Sequence, residues 1–268
     1  MNQEIDIHEI QQIELEILKD LKRVCEKNNI MFFLGEGTLL GAIRHKGFIP
    51  WDDDVDVLMK REDYNRFLSI AQQMGDQYEV QHSTTVENFW SPIIKIRLVK
   101  GPKKYYQQHI AHLTDHNGPY VDIFPVDYVP KKTSLSQRWQ SIQIRLFRGM
   151  LSLKLGLYKP DTSAKKVIQA LSRFYSVQAI HKKLNHLFAR YQSCGKTEYM
   201  ATLSSYHPYQ CQVVPAQVYD EMIAVEFEDT TMPVPAGYDL LLTTIYNDYL
   251  SLPPENQRCI KHHFSTYK

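Results

Sequence analysis

The sequence lacks any apolar run long enough to cross a membrane, since no stretch approaches the roughly 18 unbroken apolar residues of a spanning helix. Its first residues, MNQEIDIHEI, are acidic and lack the basic and apolar regions of a signal peptide. Four cysteines, at positions 25, 194, 211 and 259, lie far apart and form neither a zinc-binding spacing nor a disulfide framework. We therefore expect a cytoplasmic protein with reduced thiols. No repeat or linker divides the 268 residues into separate units.

Acidic residues are scarce in one segment. Residues 131–190 hold 13 lysines and arginines against a single acid, Asp161, although the net charge of the whole chain is only +1. Helices are predicted from Leu135 to Leu157 and from Ser163 to Tyr191. Their mixture of basic and apolar residues fits a helix on an anionic membrane surface and, equally, a solvated basic helix pair packed on the core. Nucleic-acid binding is a third interpretation, which no recognition motif supports.

The chemistry is concentrated in GEGTLLGAIRHKGFIPWDDDVDV, which begins at Gly35. Asp54 and Asp56 alternate with valines, and side chains two apart on a strand share a face. Two adjacent carboxylates remain ionised at low cost only beside a cation. Mg²⁺ binds such a pair and completes its shell with water and phosphate oxygens. The spacing therefore predicts a Mg²⁺ site, with Mn²⁺ as the alternative ion, and phosphate chemistry.

An anion-binding turn is predicted just upstream. The apolar run Ile30–Leu34 predicts a buried strand, and Leu39–Arg44 predicts a short helix with Thr38 as its N-cap. A glycine turn that leads into a helix presents backbone N–H groups and a positive dipole end to an anion. The candidate phosphate-binding residues are Gly37, Thr38, Arg44 and Lys46.

A third carboxylate, Asp122, lies in the apolar strand Tyr120–Val126. A lone carboxylate in such a strand is costly unless it is paired or bound to a metal. We favour a catalytic role, and the alternative is a salt bridge to Lys95 or Arg97. Two further acids receive lesser roles: Asp127 is predicted in a turn, and Asp53 is predicted to be solvated or to cap a helix.

The remaining pattern predicts an α/β fold, with a mixed sheet backed by helices. Residues 10–25 have the apolar periodicity of an amphipathic helix, and Arg61–Gln73 predicts another. Strands are predicted at Asp54–Met59, near Tyr78–His82 and at Ile93–Val99, in addition to those already named.

The sequence GTLLGAIRHKGFIPWDDDVDVLMKREDYNRF, together with WSPIIKIR, YVDIFPVD and the late LPPENQR, resembles the LicD family of phosphorylcholine transferases. That family is related to fukutin and fukutin-related protein, and more distantly to polymerase-β-type nucleotidyltransferases. The resemblance implies a nucleotidyltransferase core in residues 1–130, an inserted basic helical subdomain in 131–195, and a C-terminal segment in 196–268 that completes the site.

The resemblance also implies an activity. The donor would be CDP-choline, the leaving group CMP, and the acceptor a sugar hydroxyl of a teichoic-acid-type or related glycan precursor, lipid-linked or polymeric. Such acceptors favour the membrane interpretation of residues 131–190, with the enzyme peripheral at the inner face of the plasma membrane. Asp54, Asp56 and Asp122 would be catalytic and hold the metal, with Asp122 as ligand or general base.

Other site residues are weaker predictions. Lys95 and Arg97 are candidates on the leaving-group side, and the resemblance suggests Glu228 in the cleft, although it could equally begin a turn. Choline prefers aromatic faces, for which Trp51 and Trp90 are candidates, with core packing as the alternative for each. His109, His112 and His116 are spaced to share a helix face, so a zinc site is conceivable, but a surface cluster is favoured because no cysteine or carboxylate completes the set.

Three other functions compete. A related transferase would move another CDP-linked alcohol phosphate, such as ribitol or glycerol phosphate. An NTP-dependent nucleotidyltransferase would use the same aspartates and release pyrophosphate. A non-enzymatic membrane-bound adaptor would explain the basic helices but would leave the three aspartates without a purpose.

Overall fold

The computed structural model describes residues 3–4, 6–101, 103–107, 110–130, 134–192, 197–259 and 264–266. The helices are α1 (Ile7–Lys27), α2 (Glu36–His45), α3 (Arg61–Ser69), α4 (Leu135–Lys154), α5 (Ser163–Ser172), α6 (Val177–Phe188) and α7 (Tyr238–Tyr246). The strands are β1 (Gln3–Glu4), β2 (Phe33–Leu34), β3 (Val55–Lys60), β4 (Tyr78–Gln81), β5 (Ile94–Leu98), β6 (Tyr105–Gln107), β7 (Tyr120–Val129), β8 (Tyr199–Ala201), β9 (Val214–Pro215), β10 (Met222–Phe227), β11 (Thr230–Pro235) and β12 (Phe264–Thr266).

The main sheet is mixed, as predicted, and runs in the order β2-β3-β7-β5-β4. Strands β3 and β7 are parallel, whereas β2 pairs with β3, β5 with β7 and β4 with β5 in the antiparallel sense. The distal end of β7 pairs with β8, which in turn pairs with β9. Asp56 lies on β3 and Asp122 on β7, so the two strands that carry these predicted carboxylates are direct neighbours.

Helix α1 covers one side of this sheet. Asp6 is the N-cap of this helix, and its side chain accepts a hydrogen bond from the backbone N–H of His8 at 3.1 Å. Its apolar stripe, which includes Leu18 and Leu21, is fully buried with the strand residues Val57 and Ile123. Burial of this stripe, rather than helix propensity alone, holds the helix on the sheet.

The basic helices α4 and α6 have a hydrophobic cluster of their own. Phe147 and Met150 of α4 pack with Leu184 of α6, and Val129 at the end of β7 joins them. The helical segment is thus attached to the sheet through β7 and β8, the strands that lead into and out of it. The domain boundaries at 130 and 195 stay predictions.

Several predicted elements differ in the structure. The first strand covers Phe33–Leu34, not Ile30–Leu34, and the helix predicted to reach Gln73 ends at Ser69, before a 3-10 turn at Ala71–Met74. The helix predicted over 163–191 is broken into α5 and α6, because Ser176 begins a new helix by accepting from the N–H of Ala179 at 3.0 Å.

The turn predicted at Asp127 is wrong. Asp127 lies inside β7, and it is completely buried. Its two carboxylate oxygens accept from Nε and Nη2 of Arg61, at 2.7 and 2.6 Å. Arg61 is the first residue after β3, so this ion pair fastens the end of β3 to β7.

Candidate active site

The predicted carboxylates lie in one row across the sheet. Asp56 on β3 is directly opposite Asp122 on β7, and Asp122 is directly opposite Lys95 on β5. Gln81 on β4 continues the row beyond Lys95. Neighbouring strands are about 4.8 Å apart, so Asp56 and Asp122 are brought close together by the register alone.

The alternation predicted around β3 is confirmed. Val55 and Val57 are completely buried, whereas Asp56 retains 9% of its accessible surface and Asp54, just before the strand, is half-buried. Burial raises the pKa of Asp56 well above its usual value, and the neighbouring carboxylates of Asp54 and Asp122 raise it further. The strand therefore concentrates negative charge at one position.

Asp122 is paired with Lys95. The ammonium Nζ donates to both carboxylate oxygens of Asp122, at 2.6 and 2.7 Å, and lies 3.8 Å from the centroid of the Tyr120 ring. Burial lowers the pKa of Lys95, and Asp122 opposes that shift. The salt bridge proposed as the alternative for Asp122 is therefore present, and a catalytic role for this residue stays a prediction.

Within the described ranges, no group of three or more His, Cys, Asp or Glu side chains is arranged to hold a metal ion. The three predicted carboxylates are therefore not assembled into a ready-made cage. Asp54 and Asp56 nevertheless suit Mg²⁺, because this ion commonly takes one or two carboxylates and fills its shell with water and substrate phosphate. Burial, and then the charges of Asp54 and Asp122, raise the pKa of Asp56, and a cation would oppose this.

The start of α2 differs from the prediction. The N-cap is Gly35 and not Thr38, which lies in the first turn of the helix. The hydroxyl oxygen of Thr38 accepts from the backbone N–H of Asp56 at 2.9 Å, so Thr38 fixes the strand position of that carboxylate. A phosphate contact by Thr38 stays a prediction.

Gly37 lies against another carboxylate. A Cβ atom at this position would lie 2.5 Å from Oδ2 of Asp52, so any other residue would force that side chain to move. Asp52 is buried, and Gln11 of α1 donates to its backbone carbonyl at 2.8 Å. The protein thus places its own carboxylate beside the first turn of α2, where phosphate was predicted. Asp53 is buried as well, rather than solvated.

The two predicted phosphate-binding cations have partners within the protein. Nη1 of Arg44 donates to the backbone carbonyls of Tyr249 and Ser251, at 3.0 and 3.1 Å, and so holds the C-terminal segment. The exposed ammonium of Lys46 lies 2.8 Å from Oε2 of Glu226 on β10. Their contacts with phosphate stay predictions.

Glu228 lies in the turn between β10 and β11. Its φ of 53° is left-handed, and its Oε1 accepts from the backbone N–H of Phe48 at 2.8 Å. The carboxylate also lies so close to Gly47 that a side chain there would collide with it. Glu228 thus ties this hairpin to the loop after α2, as the turn alternative implied.

Trp51 and Trp90 are half-buried and each meets a cation within the protein. The guanidinium of Arg258 lies 5.4 Å from the Trp51 ring centroid, and that of Arg97 lies 5.5 Å from the Trp90 centroid. Arg97 is 1% exposed and donates to Gln81 and to a backbone carbonyl, and burial lowers its pKa to about 10. Arg97 therefore supports the sheet from within, and its predicted role at the leaving group stays a prediction.

The predicted histidine cluster lies partly outside the described residues, which exclude His109. Residues 110–119 form turns and bends rather than an α-helix, so the common helix face is wrong. A ring nitrogen of His112 lies 3.3 Å from the carbonyl oxygen of Leu155, and Nδ1 of His116 lies 3.1 Å from Oε2 of Glu79.

Sequence reasoning missed three residues at this site. Glu14 of α1 is completely buried, and burial, then Asp54 and Asp53, raise its pKa. Its position on the apolar stripe of α1 was a usable signal. The other two are Glu36 and His207: Nε2 of His207 lies 3.0 Å from Oε2 of Glu36, and Glu36 is one of the groups that raise the pKa of Asp56.

Comparison with known proteins identifies the family of the chain. Residues 29–147 match the family described as LicD/FKTN/FKRP, nucleotidyltransferase domain. The chain is 30% identical, over 95% of its own length and 95% of the relative's, to the lipopolysaccharide cholinephosphotransferase LicD of Haemophilus influenzae. Shorter matches to uncharacterized proteins of Rickettsia typhi and Rickettsia prowazekii are 41% and 48% identical and cover 25% and 22% of this chain.

Proposed function

The chain belongs to the LicD/FKTN/FKRP family, and from this premise we propose that it transfers phosphocholine from CDP-choline to a sugar hydroxyl of a cell-surface glycan. The acceptor is a precursor of the lipopolysaccharide or teichoic-acid type, and the leaving group is CMP. The observation that carries the proposal is the row of Asp56, Asp122 and Lys95 across three neighbouring strands. We propose that this sheet is a polymerase-β-type nucleotidyltransferase core.

The carboxylates would hold the metal. In our proposal Asp54 and Asp56 bind Mg²⁺, or Mn²⁺ in its place, and Asp122 completes the site. When bound, the ion neutralises the charge of the two donor phosphates. The strand geometry supports this assignment, because Thr38 and the buried valines fix Asp56 in one position and thereby reduce the cost of organising the site.

Cationic and aromatic side chains would hold the rest of the donor. We assign phosphate contacts to the first turn of α2, with Gly37 and Thr38, and to Arg44, Lys46, Lys95 and Arg97 in the roles predicted above. Choline would lie against Trp51 or Trp90, since a quaternary ammonium favours an aromatic face. Glu228 would act from the hairpin turn, by holding the loop that follows α2.

A membrane surface is the proposed location of the acceptor. None of the described helices is long and apolar enough to span a bilayer. On α4, the apolar side chains of Leu135, Trp139 and Ile142 share one face and are 81%, 58% and 56% exposed. Phe174, just after α5, is 84% exposed.

These exposed apolar side chains lie in the segment of residues 131–190, which holds 13 basic residues and one acid. A cationic surface with projecting apolar groups suits the interface of an anionic bilayer. We therefore propose that the enzyme is cytoplasmic and peripheral, at the inner face of the plasma membrane. Nucleic acid is not a partner in this proposal.

Vesicle binding tests the location. The protein should sediment with phosphatidylglycerol vesicles but not with phosphatidylcholine vesicles. Trp139→Ser should weaken binding by about 10-fold, because a large apolar side chain contributes about 1.5–3 kcal/mol when buried. Leu250→Ser is the matched control, since Leu250 is 64% exposed outside the basic segment. If the two variants lost vesicle binding equally, or if the wild type bound both lipids equally, α4 would not be the docking face.

Product analysis tests the reaction. The purified chain is incubated with Mg²⁺, a membrane glycan fraction and one donor at a time: CDP-choline, CDP-ribitol, CDP-glycerol or an NTP. We expect CMP from CDP-choline and only in the presence of acceptor. Release of CMP from another CDP-alcohol would show that a different alcohol phosphate is transferred. Release of pyrophosphate from an NTP would show nucleotidyl transfer instead.

A further inference from the structure

Two arginines from distant parts of the chain meet around one histidine and one tryptophan. Arg44 and His45 end α2, and Nε of Arg44 donates to Nε2 of His45 at 3.0 Å. The His45 ring meets the Trp51 ring edge-on, with the centroids 6.3 Å apart. The guanidinium of Arg258 lies 5.4 Å from the centroid of the Trp51 ring. These four side chains form a continuous group, which we call the arginine group.

Both arginines also hold the C-terminal segment. Nη1 of Arg44 donates to the backbone carbonyls of Tyr249 and Ser251, and Nε of Arg258 donates to the carbonyl of Pro253 at 2.9 Å. Burial lowers the pKa of Arg44, and the charge of Arg258 acts in the same direction. The two guanidiniums are therefore near enough to repel each other, and an anion between them would remove that repulsion.

The hydrogen bonds of both guanidiniums go to neutral groups. Their acceptors are backbone carbonyls and the imidazole of His45, whose pKa is lowered by burial and then by Arg44. Among the residues that the structure describes, these bonds occupy Nε and Nη1 of Arg44 and Nε of Arg258. Nη2 of Arg44 and both Nη atoms of Arg258 remain for a ligand. Planar guanidinium groups of this kind suit the oxygens of a phosphate.

The arginine group lies at the edge of the proposed metal site. Trp51 belongs to the turn Ile49–Asp52, in which the backbone N–H of Asp52 donates to the carbonyl of Ile49 at 2.9 Å. Asp54 follows this turn directly and leads into β3. The ring that carries the Arg258 guanidinium is thus three residues from a predicted metal ligand.

Tyr246 of α7 connects the two places. Burial raises its pKa, and the charges of Glu36 and Asp56 raise it further, so its ring is near the carboxylates. Tyr246 is also one of the groups that act on the pKa of Arg44. A phosphate held by the arginines would therefore lie beside the phosphates that the metal ion would hold.

Charge decides which half of the donor suits the arginine group. The ammonium of choline is permanently positive, and two guanidiniums would repel it. The choline-bearing phosphate is only two carbon atoms from that ammonium, whereas the cytidylate phosphate is one phosphate further away. Arg258 also occupies a face of Trp51, so Trp90 is the better place for choline of the two candidate tryptophans.

We propose that Arg258, together with Arg44, binds the phosphate of the cytidylate half of the donor and of the product CMP; this inference rests on the proposed use of CDP-choline. Arg258 contributes its two Nη groups and Arg44 its Nη2. Because Arg258 lies in the C-terminal segment and Arg44 on α2, the bound phosphate joins these two parts of the chain.

Equilibrium titration of the full chain, followed by NMR, tests this assignment. Arg258→Gln should weaken binding of CMP by about 10–100-fold, the usual contribution of a hydrogen bond between charged groups, and leave binding of cytidine within about twofold. Arg258→Lys should lose less affinity for CMP than Arg258→Gln, because it keeps the charge but not the planar donors. Arg23→Gln is the matched control, since this arginine of α1 is 73% exposed, and it should bind CMP as the wild type does.

A second comparison separates a phosphate contact from a structural role. The KM for CDP-choline should rise in Arg258→Gln by at least about 10-fold, as expected for a lost binding contact. A thermal unfolding curve establishes that the variant is folded, and Arg258→Lys takes its place in both assays if it is not. Unchanged affinity for CMP, or an equal loss for CMP and cytidine, would overturn the assignment. A wild-type chain that binds CMP but releases none from CDP-choline would instead overturn the proposed function.

Discussion

Replacing Asp127 with alanine should destabilise the protein strongly and disturb the site from a distance. Asp127 is completely buried in β7, and Arg61, 4% exposed, donates to both of its oxygens. A third bond runs from Nη1 of Arg61 to Oδ1 of Asn185 on α6, at 2.9 Å. The pair therefore fastens β3, β7 and the helical segment at one point.

The magnitude follows from burial. Removing one partner of a buried ion pair leaves an uncompensated charge and typically costs about 3–5 kcal/mol. For a chain of this size, each kcal/mol lowers Tm by about 2–4 °C, so Asp127→Ala should lower it by about 6–20 °C. Replacing both partners, as in Arg61→Met with Asp127→Leu, should cost less than either single change, because no charge is then left buried without a partner.

Urea unfolding of the wild type, Arg61→Met, Asp127→Leu and the double variant closes a double-mutant cycle, and Asp127→Ala is measured beside it. Asp220→Ala is the matched control, because its ion pair with Lys60, at 3.1 Å, is exposed and should contribute less than about 1 kcal/mol. A cost below about 1 kcal/mol for Asp127→Ala, or a double variant less stable than both single variants, would refute the account of this pair.

Three further outcomes are expected. Gly37→Ala should lower kcat by about 10-fold or more and the free energy of unfolding by about 1–3 kcal/mol, because the new methyl group meets the Asp52 carboxylate. Steady-state kinetics and urea unfolding measure these two effects. Burial raises the pKa of Cys25 to about 12, so at pH 9 only about one thiol in a thousand is ionised, and mass spectrometry should find Cys25 alkylated by iodoacetamide only after unfolding. Lys95→Met should reduce CMP release by about 10²-fold, because it leaves Asp122 buried and unpaired, whereas Lys95→Arg should retain more activity; equal activities would argue against a role for this ion pair.

The central strand and its carboxylates could be predicted because their pattern is local. Buried valines alternating with aspartates on β3 determine which side chains share a face, and the register with β7 then brings Asp56 opposite Asp122. The mixed sheet followed from the apolar runs in the same way. A salt bridge between Asp122 and Lys95 is predictable from the same pattern, because both lie at alternating positions of apolar strands.

The errors have physical causes. Thr38 was predicted as an N-cap because threonine is a good cap, but Glu36 accepts a left-handed conformation and the helix begins earlier. Asp127 lies two residues after Pro125, which favours a turn, yet the buried guanidinium of Arg61 keeps it in the strand. For Thr38 the left-handed Glu36 outweighed the local preference, and for Asp127 the contact with the distant Arg61 outweighed it.

Other features could not be predicted from spacing. His207 reaches Glu36 only because the loop after β8 returns to the start of α2. Glu14 interrupts the apolar stripe of α1, which signals a buried carboxylate, but the sequence does not say that Asp53 and Asp54 lie opposite it. Long-range approaches of this kind depend on the topology of the whole sheet.

Transfer of radiolabelled phosphocholine tests the central claim most directly. CDP-choline labelled in the choline is incubated with a membrane glycan fraction and either the wild type or Asp56→Asn, in Mg²⁺ or in excess chelator. Label is expected on the glycan only with the wild type and Mg²⁺, and the variant should lose at least about 10³-fold, since the negative charge that would hold the ion is removed. Equal labelling by Asp56→Asn, or labelling that persists in chelator, would contradict the account.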